Sequence, residues 1–178
     1  MNKDLQIAKK TVETEIKALK KLSASFNSKS QFSKAVSLLC KIKGKCLVVG
    51  VGKSYIVSLK VSATLSSLSV PSVAFSASDL EHGGLGTIQK NQDCLLIFSV
   101  SGESSELNNI LRYANRHDVP VIGVSCKSSS MLHKHSTIKI LLPKVVEAGQ
   151  TLAPTSSSLN FLSWGDSLAL ACVKRKKW

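Results

Sequence analysis

Residues 94 to 106 read Cys-Leu-Leu-Ile-Phe-Ser-Val-Ser-Gly-Glu-Ser-Ser-Glu. The first five are apolar and form a run with the length and boundaries of a buried β-strand. Beyond the run, apolar residues recur at the i, i+3, i+4 and i+7 spacing of one helix face, at Leu107, Ile110, Leu111 and Ala114. The pattern predicts a buried strand, a hydroxyl-rich loop and an amphipathic helix in direct succession.

The loop between this predicted strand and helix has the features of an anion-binding site. Free backbone N–H groups and the positive end of the helix dipole point outward at a helix start. Ser99, Ser101, Ser104 and Ser105 add hydroxyl donors, and Gly102 lets the backbone approach a ligand closely. A phosphate or another small anion is the natural ligand. The alternative is that the serines only cap the helix, although one serine is enough for a cap.

Two carboxylates in the same loop, Glu103 and Glu106, do not suit a simple phosphate cradle. At short range they would repel an anion. They fit if they face away from the ligand, or if one of them does chemistry on the part of the ligand beyond the phosphate. The loop therefore predicts either a binding site or a catalytic site.

A second strand-to-helix turn is built in a similar way. The apolar run Lys45–Val49 leads into Gly-Val-Gly-Lys-Ser at residues 50–54. A nucleotide-hydrolase phosphate loop would need a glycine where Leu47 stands, and a dinucleotide fingerprint would need one at Tyr55. What remains is a tight turn that presents Lys53 and Ser54 at a helix start.

The order of elements predicts the fold class. Short apolar strands alternate with helices along residues 45–173, a pattern typical of a parallel sheet buried on both faces. Right-handed crossovers then give a three-layer α/β/α sandwich, preceded by a helical segment at about 1–44, with helices near 4–25 and 30–43. We expect one domain over 1–178, without internal repeat or linker. Ligands in such folds bind at the carboxyl ends of the strands.

Composition limits the classes of partner. The chain has 178 residues, 43% of them hydrophobic, and 24 basic against 11 acidic residues give a net charge of +13. This charge suits anionic ligands in general. The lysines are scattered, however, and no aromatic residues interleave with them as a stacking surface for bases would require. We therefore expect no nucleic-acid partner.

The cysteines and the N-terminus indicate a cytoplasmic protein. Five cysteines, an odd number without a Cys-x-x-Cys pair, suit a reducing compartment. The N-terminus is charged and amphipathic, unlike a signal peptide. No apolar run approaches the roughly 18 residues that a membrane span needs, so we expect no membrane association. His133 and His135 have no carboxylate or cysteine at ligand spacing, so we expect no metal site.

Five motifs in series resemble the sugar isomerase (SIS) domain over roughly residues 30 to 175. The Ser-x-Ser-Gly-Glu loop alone would mark a generic SIS domain, whereas the whole series is similar to the arabinose-5-phosphate isomerases. The motifs occupy residues 50–54 (Gly-Val-Gly-Lys-Ser), 82–86 (His-Gly-Gly-Leu-Gly), 99–106, 152–157 (Leu-Ala-Pro-Thr-Ser-Ser) and 164–169 (Trp-Gly-Asp-Ser-Leu-Ala).

The resemblance implies a five-stranded parallel sheet and an isomerase that interconverts D-arabinose 5-phosphate and D-ribulose 5-phosphate for synthesis of the Kdo sugar of lipopolysaccharide. It also implies a homodimer or homotetramer with sites between subunits, and no cofactor. By motif, the implied catalytic residues are Lys53, His82, Glu106 and Glu147. The implied phosphate- and substrate-binding residues are Ser54, Ser99, Ser101, Gly102, Ser104, Thr155 and Ser156.

These residue types suit aldose–ketose isomerisation. The reaction opens the sugar ring and moves a proton between C1 and C2 through an enediol, so it needs a base at the carbon and a donor at the developing oxyanion. Glu106 or Glu147 could be the base, Lys53 the electrophile, and His82 could shuttle a hydroxyl proton during ring opening.

The sequence departs from the family pattern in three ways. We expect neither the C-terminal histidine that the family uses nor CBS domains, and Gly84 stands where the family has an aspartate. Two alternatives to an active isomerase follow: a regulatory module that binds a phosphosugar without turnover, and a catalytically impaired isomerase. Retention of Lys53, His82, Glu106 and Glu147 favours the enzyme, because a sensor needs only the serines.

Overall fold

The computed structural model describes residues 2–150 and 152–176. The strands are β1 (Cys46–Gly50), β2 (Ser72–Ser76), β3 (Cys94–Phe98), β4 (Val121–Ser125) and β5 (Ile138–Leu141). The α-helices are α1 (Lys3–Ser25), α2 (Phe32–Lys41), α3 (Lys53–Ser67), α4 (Ala77–Glu81), α5 (Asn108–Arg116), α6 (Met131–Lys134) and α7 (Ser156–Lys176). Short 3₁₀ turns occupy Gly84–Thr87, Ser105–Leu107 and Ala148–Gln150.

The strands form a parallel sheet in the order β2-β1-β3-β4-β5. From β1 the chain moves outward to β2, and from β3 it moves outward in the opposite direction to β4 and β5. The central pair, β1 and β3, is therefore the topological switch point, where ligands of such sheets bind. The predicted five-stranded parallel α/β fold is confirmed.

The three central strands, β1, β3 and β4, each contribute to two hydrophobic layers. Side chains alternate between the faces of a strand, so Val48 and Leu96 join the layer under α2, α3 and α7. Val49 and Ile97 join the layer under α4, α5 and α6. Because β1, β3 and β4 are buried along their whole length, their sequences consist of apolar residues and glycine with no polar face, apart from Ser125 at the end of β4.

Helix α7 is fixed against the sheet by close packing and aromatic contacts. A Cβ at Gly165 would lie 2.4 Å from Val61 Cγ2, so glycine allows α7 and α3 to approach closely. The ring of Trp164 packs edge-on against Phe98 of β3 and Phe32 of α2, with centroid distances of 6.1 and 5.9 Å. The middle of α7 is thus held against α3 and against the carboxyl end of β3.

Two element boundaries differ from the sequence pattern for local reasons. The apolar run Pro120–Val124 predicts a strand from Pro120, but the strand starts at Val121, because proline has no N–H to donate to a sheet. The pattern after residue 103 predicts a helix over 104–117, but this segment begins with a 3₁₀ turn at Ser105, and its α-helical part starts at Asn108. Both shifts stay within the usual uncertainty of helix and strand ends.

The apolar face predicted for α1 from the spacing of Leu5, Val12, Ile16 and Leu19 packs on the rest of the chain only at Leu19, which is partly buried against the core. Ala18 and Leu22 are the buried residues of α1. Leu5, Val12 and Ile16 are 60%, 55% and 45% exposed. These three residues recur at the spacing of one helix face and form what we call the α1 stripe. Nothing in the described part of the chain covers it.

At the opposite edge of the sheet, Asp93 joins the starts of β1 and β3. Its Oδ1 accepts the N–H of Lys45 at 2.7 Å, and its Oδ2 accepts the N–H of Gln89 at 2.8 Å and Lys45 Nζ at 2.9 Å. The Asp93 side chain is 1% exposed. Although burial opposes ionisation, these hydrogen bonds and the Lys45 charge lower the pKa of Asp93.

Among residues 2–150 and 152–176, no helix is long and apolar enough to span a bilayer. Within the same residues, no cluster of three or more histidine, cysteine or acidic side chains could bind a metal ion.

Candidate active site

The two predicted anion-binding loops leave the same edge of the sheet from adjacent strands. Gly50 at the end of β1 lies beside Phe98 at the end of β3, and neighbouring strands are about 4.8 Å apart. The β1–α3 turn, with Lys53 and Ser54, therefore starts beside the loop of residues 99–106, which we call the serine loop. The topology brings both sets of predicted residues to the switch point.

The β1–α3 turn depends on glycine. A Cβ at Gly50 would lie 2.4 Å from the carbonyl carbon and oxygen of Ser54, and Gly52 has φ of 55°. Lys53, the first residue of α3, is exposed, and no ion-pair partner for it occurs in the described part of the chain. A cation at a helix N-terminus opposes the helix dipole, so Lys53 does not serve the stability of α3.

The hydroxyls of the serine loop divide into two groups. Ser99, 5% exposed, accepts the N–H of Gly102 at 3.1 Å, and its Oγ lies 3.3 Å from that of Ser104. Ser101 is exposed and accepts the N–H of Glu103 at 3.2 Å. Ser99 and Ser104 therefore brace the loop from inside, whereas Ser101 faces solvent. We expect a ligand to meet Ser101 first.

Gly102 holds the serine loop against the start of α6. Its φ is 66°, a value that L-residues rarely adopt, and a Cβ there would lie 2.5 Å from Ser130 Cβ and Oγ. Its carbonyl accepts the N–H of Leu132 at 2.9 Å. Gly102, which we predict lets the backbone approach a ligand, is thus also required for the serine loop to pack against the start of α6.

We expect Gly102→Ala to weaken binding of a sugar phosphate by at least about tenfold, because the new methyl group forces the loop away from Ser130. Calorimetric titration with arabinose 5-phosphate measures the effect. Gly86→Ala is the matched control for stability, since a Cβ at Gly86 meets nothing within 4 Å. Equal thermal midpoints for both variants and an unchanged dissociation constant for Gly102→Ala would contradict this role.

The two carboxylates of the serine loop have different surroundings. Glu103 Oε1 accepts Lys127 Nζ at 2.7 Å and Oε2 accepts the N–H of Met131 at 3.4 Å. The hydrogen bond from Lys127 lowers the pKa of Glu103. Glu106 is exposed and accepts the hydroxyl of Ser105 at 3.2 Å. The Glu103 carboxylate therefore faces α6 and pairs with Lys127. Of the two carboxylates expected to repel a phosphate, Glu103 is thus directed elsewhere.

Glu147 lies in the connection between β5 and α7. Its Oε2 accepts three hydrogen bonds: from Thr155 N–H at 2.7 Å, Thr155 Oγ1 at 2.9 Å and Ser157 N–H at 3.2 Å. Burial opposes ionisation of Glu147, but the hydrogen bonds from Ser157 and Thr155 outweigh it and lower its pKa. A negative charge at the start of α7 also suits the helix dipole.

The two hydroxyls predicted beside Glu147 are placed less favourably for a ligand. Thr155 Oγ1 donates to Glu147 and accepts the N–H of Ala148 at 2.8 Å. Ser156 is fully buried, and its hydroxyl has no partner among the described residues. A ligand-binding role for Thr155 and Ser156 therefore remains a prediction. Ser157, which was not predicted, is 4% exposed and donates its N–H to Glu147.

His82 follows α4, which starts where β2 ends. Ser76 of β2 is paired with Gly50 of β1, so the β2 connection leaves the same edge as the β1–α3 turn. His82 is exposed and ends α4, with its N–H donated to the carbonyl of Ser78 at 3.1 Å. Its imidazole is thus available to a ligand or to another subunit.

A cavity of about 350 Å³ opens beside the serine loop. Ser101 and Glu147 line it together with two lysines, Lys127 and Lys144, that belong to none of the predicted motifs. Both follow strand ends, so the predicted topology could have indicated them, although lone lysines in loops carry no motif. The cavity is lined by Val100, Ser101, Cys126, Lys127, Lys144, Val145, Glu147 and Ser157.

Comparison with known proteins identifies the family. The SIS domain model matches residues 38–171, and the chain belongs to the SIS domain family. The expectation of one domain over 1–178 remains a prediction.

Among curated proteins, the chain is 33% identical over 182 residues to arabinose 5-phosphate isomerase KdsD of Francisella tularensis, covering 100% of this chain and 55% of that protein. It is 35% identical over 162 residues to RP505 of Rickettsia prowazekii, covering 91% and 50%. The chain therefore spans about half the length of these curated relatives.

Solved structures show the same fold. The Escherichia coli CFT073 protein c3406, in complex with arabinose 5-phosphate, superposes with a TM-score of 0.92 at 30% identity, covering 99% of this chain and 94% of that one. The sugar isomerase domain of an RpiR transcription factor from Sphaerobacter thermophilus superposes with a TM-score of 0.74 at 18% identity, covering 99% and 93%. The fold is thus shared by proteins with different tasks, and function must be argued from the site.

Proposed function

We propose that this protein is an aldose–ketose isomerase that interconverts D-arabinose 5-phosphate and D-ribulose 5-phosphate. The observation that carries the proposal is the arrangement at the switch point, where the β1–α3 turn and the serine loop leave adjacent strands. They bring an exposed Glu106 and Lys53, which has no ion-pair partner within residues 2–150 and 152–176. The similarity to c3406, whose structure contains arabinose 5-phosphate, supports the choice of pentose.

In the proposed mechanism, the phosphate binds between Ser54 of the turn and Ser101 of the serine loop, with the loop N–H groups as further donors. His82 moves a hydroxyl proton during ring opening. A glutamate takes the proton from the carbon next to the carbonyl and returns it to the neighbouring carbon, which forms and consumes the enediol. Lys53 stabilises the charge that develops on the oxygen.

The runner-up is a regulatory module that binds the same ligand without turnover. The shared fold with an RpiR transcription factor is the observation that favours it. Such a module would need the hydroxyls of the serine loop but neither Lys53 nor Glu106. The two functions differ in one outcome, namely whether a bound sugar phosphate is converted.

Incubation with ribulose 5-phosphate, followed by separation of the products, tests the proposal. We expect arabinose 5-phosphate to accumulate to an equilibrium mixture that is also reached from the other side. Ribose 5-phosphate and glucose 6-phosphate are the control substrates, and we expect no comparable turnover of either. Saturable binding of ribulose 5-phosphate with no product would favour the regulatory module, and absence of binding would contradict both functions.

We further propose that the protein acts in the cytoplasm in the supply of the Kdo sugar for lipopolysaccharide. The resemblance to the arabinose-5-phosphate isomerases supports this pathway, and the free cysteines suit a reducing compartment. Sugar phosphates are the only partners that this role requires besides a second copy of the chain.

We also propose that the protein is a homo-oligomer, a dimer or a tetramer, that covers the α1 stripe. The stripe presents Leu5, Val12 and Ile16 on one face, and such exposed apolar rows commonly mark contacts between proteins. The resemblance to the arabinose-5-phosphate isomerases supports sites that lie between subunits, where an exposed residue such as His82 can meet a neighbouring copy.

We expect Val12→Lys combined with Ile16→Lys to shift the protein to a smaller species, because two charges would be buried in the interface. Light scattering coupled to size-exclusion chromatography measures the mass. Ile7→Lys is the matched control, since Ile7 is 57% exposed on α1 but lies outside the stripe. An unchanged mass for the double variant, or the same shift in the control, would contradict an interface on the α1 stripe.

A further inference from the structure

The connection between β5 and α7 is closed at its base by Glu147 and Thr155. Glu147 Oε2 accepts the N–H and the hydroxyl of Thr155, and Thr155 Oγ1 accepts the N–H of Ala148, the residue after Glu147. These contacts join the two ends of the segment 148–154. We call this set of contacts the Glu147 clamp. Its neighbour Ser157 donates its N–H to the same oxygen, so the clamp also caps α7.

We propose that Glu147 is a positioning residue that holds the wall of the site, and that Glu106 is the base that takes the proton from the sugar carbon. This inference rests on the proposed isomerase function and assigns roles to two glutamates that the sequence leaves equivalent. Both lie in loops at the same edge of the sheet, so location alone does not separate them.

The first argument is the occupancy of the Glu147 carboxylate. A general base must accept a proton on an oxygen that can reach the substrate. Oε2 of Glu147 already accepts three hydrogen bonds, all within 3.2 Å. A protonated carboxyl group would lose part of this acceptor capacity, so proton transfer to Glu147 would weaken the start of α7 and the base of the loop during every turnover.

The second argument is electrostatic. The hydrogen bonds that Glu147 accepts lower its pKa, whereas an efficient base at neutral pH has a pKa near the working pH. The positive end of the α7 dipole favours the same ionised form. Glu147 is thus built to remain a carboxylate, which suits a residue that fixes the loop and lines the cavity beside Ser101.

Glu106 has the opposite character. It is exposed, and its Oε2 accepts a hydrogen bond from the neighbouring Ser105 Oγ at 3.2 Å, with no further side-chain partner among the residues that the structure describes. Its backbone lies at the end of the serine loop, five residues beyond Ser101, so its carboxylate is carried by the loop that we propose binds the phosphate. Glu106 can therefore accept and return a proton without breaking a structural contact.

Four variants separate the two roles: Glu106→Gln, Glu147→Gln, Thr155→Val and the double variant Glu147→Gln with Thr155→Val. We expect Glu106→Gln to lower kcat by about 10²–10⁴-fold and to remove the acid limb of the pH profile of kcat/KM. Glu147→Gln and Thr155→Val should each change kcat by less than about tenfold, raise KM, and keep the acid limb. The kcat/KM of the double variant should be no lower than that of the more impaired single variant, since each single substitution already breaks the same Glu147 clamp. Asp118→Asn, an exposed carboxylate outside these loops, is the control.

A loss of kcat for Glu147→Gln as large as for Glu106→Gln, with Thr155→Val close to wild type, would overturn the proposal. The clamp can also be tested by thermal unfolding, without any turnover. Each single variant should lower the thermal midpoint, and the double variant should lower it no further than the less stable single variant. If the wild-type protein shows no isomerase activity, the proposed function fails while this coupling still tests the clamp. Additive midpoint losses would show that Glu147 and Thr155 act independently, which would contradict the clamp.

Discussion

If the proposed isomerase activity is present, we expect replacement of Lys53 with alanine to lower kcat for ribulose 5-phosphate by about 10²–10³-fold, the usual cost of removing a donor that stabilises a developing oxyanion. Lys53 is exposed, stands at a helix start that disfavours a cation, and has no ion-pair partner in the described residues. These features leave its charge free for a ligand. Initial rates under saturating substrate measure the effect.

Lys60→Ala is the matched control for Lys53→Ala. Lys60 lies on the same helix and pairs with Asp166 of α7 at the protein surface, where ion pairs contribute little to stability. We expect its kcat to equal that of the wild type. A wild-type rate in Lys53→Ala would remove Lys53 from the mechanism, and equal losses in both variants would indicate a general effect of charge on α3.

Replacing Asp93 with alanine destabilises the fold by about 2–4 kcal/mol, because two backbone N–H groups and the Lys45 ammonium lose their acceptor. The side chain is 1% exposed, so water does not replace the lost bonds at low cost. Urea denaturation measures the free energy of unfolding. Asp118→Asn, whose carboxylate is exposed, should stay within about 0.5 kcal/mol of the wild type.

The same contact predicts a dependence of stability on pH. Because the folded state lowers the pKa of Asp93, its contribution is present above the unfolded pKa of about 3.9 and is lost as pH falls through the folded pKa. We therefore expect Asp93→Asn to flatten the decline of the unfolding free energy below about pH 4. An Asp93→Asn curve parallel to that of the wild type would contradict this origin.

The sheet could be predicted because its signal is local. The apolar run Cys94–Phe98 is bounded by polar residues. A parallel strand that is buried on both faces consists mainly of apolar residues, so such a run marks the strand directly. The edge at which the loops meet follows from the topology, since parallel strands that alternate with helices end on one side. Thus the position of the serine loop and of Lys53 followed from pattern alone.

The environment of each site residue could not be predicted in this way. Glu147 accepts hydrogen bonds from residues eight and ten positions away, and no sequence period reports such a loop contact. The exposure of Val12 and Ile16 was equally hidden, because the spacing indicates an apolar face but not what covers it. The side-chain direction of Glu103 depends on Lys127 and Met131, which the fold alone brings near.

A crystal structure of the protein with ribulose 5-phosphate or arabinose 5-phosphate tests most directly whether the two loops form one site. We expect the phosphate to lie within hydrogen-bond distance of the hydroxyls of both Ser54 and Ser101, with the sugar extending toward Glu106. A phosphate that contacts neither hydroxyl, or a sugar phosphate bound away from the β1–β3 switch point, would contradict it.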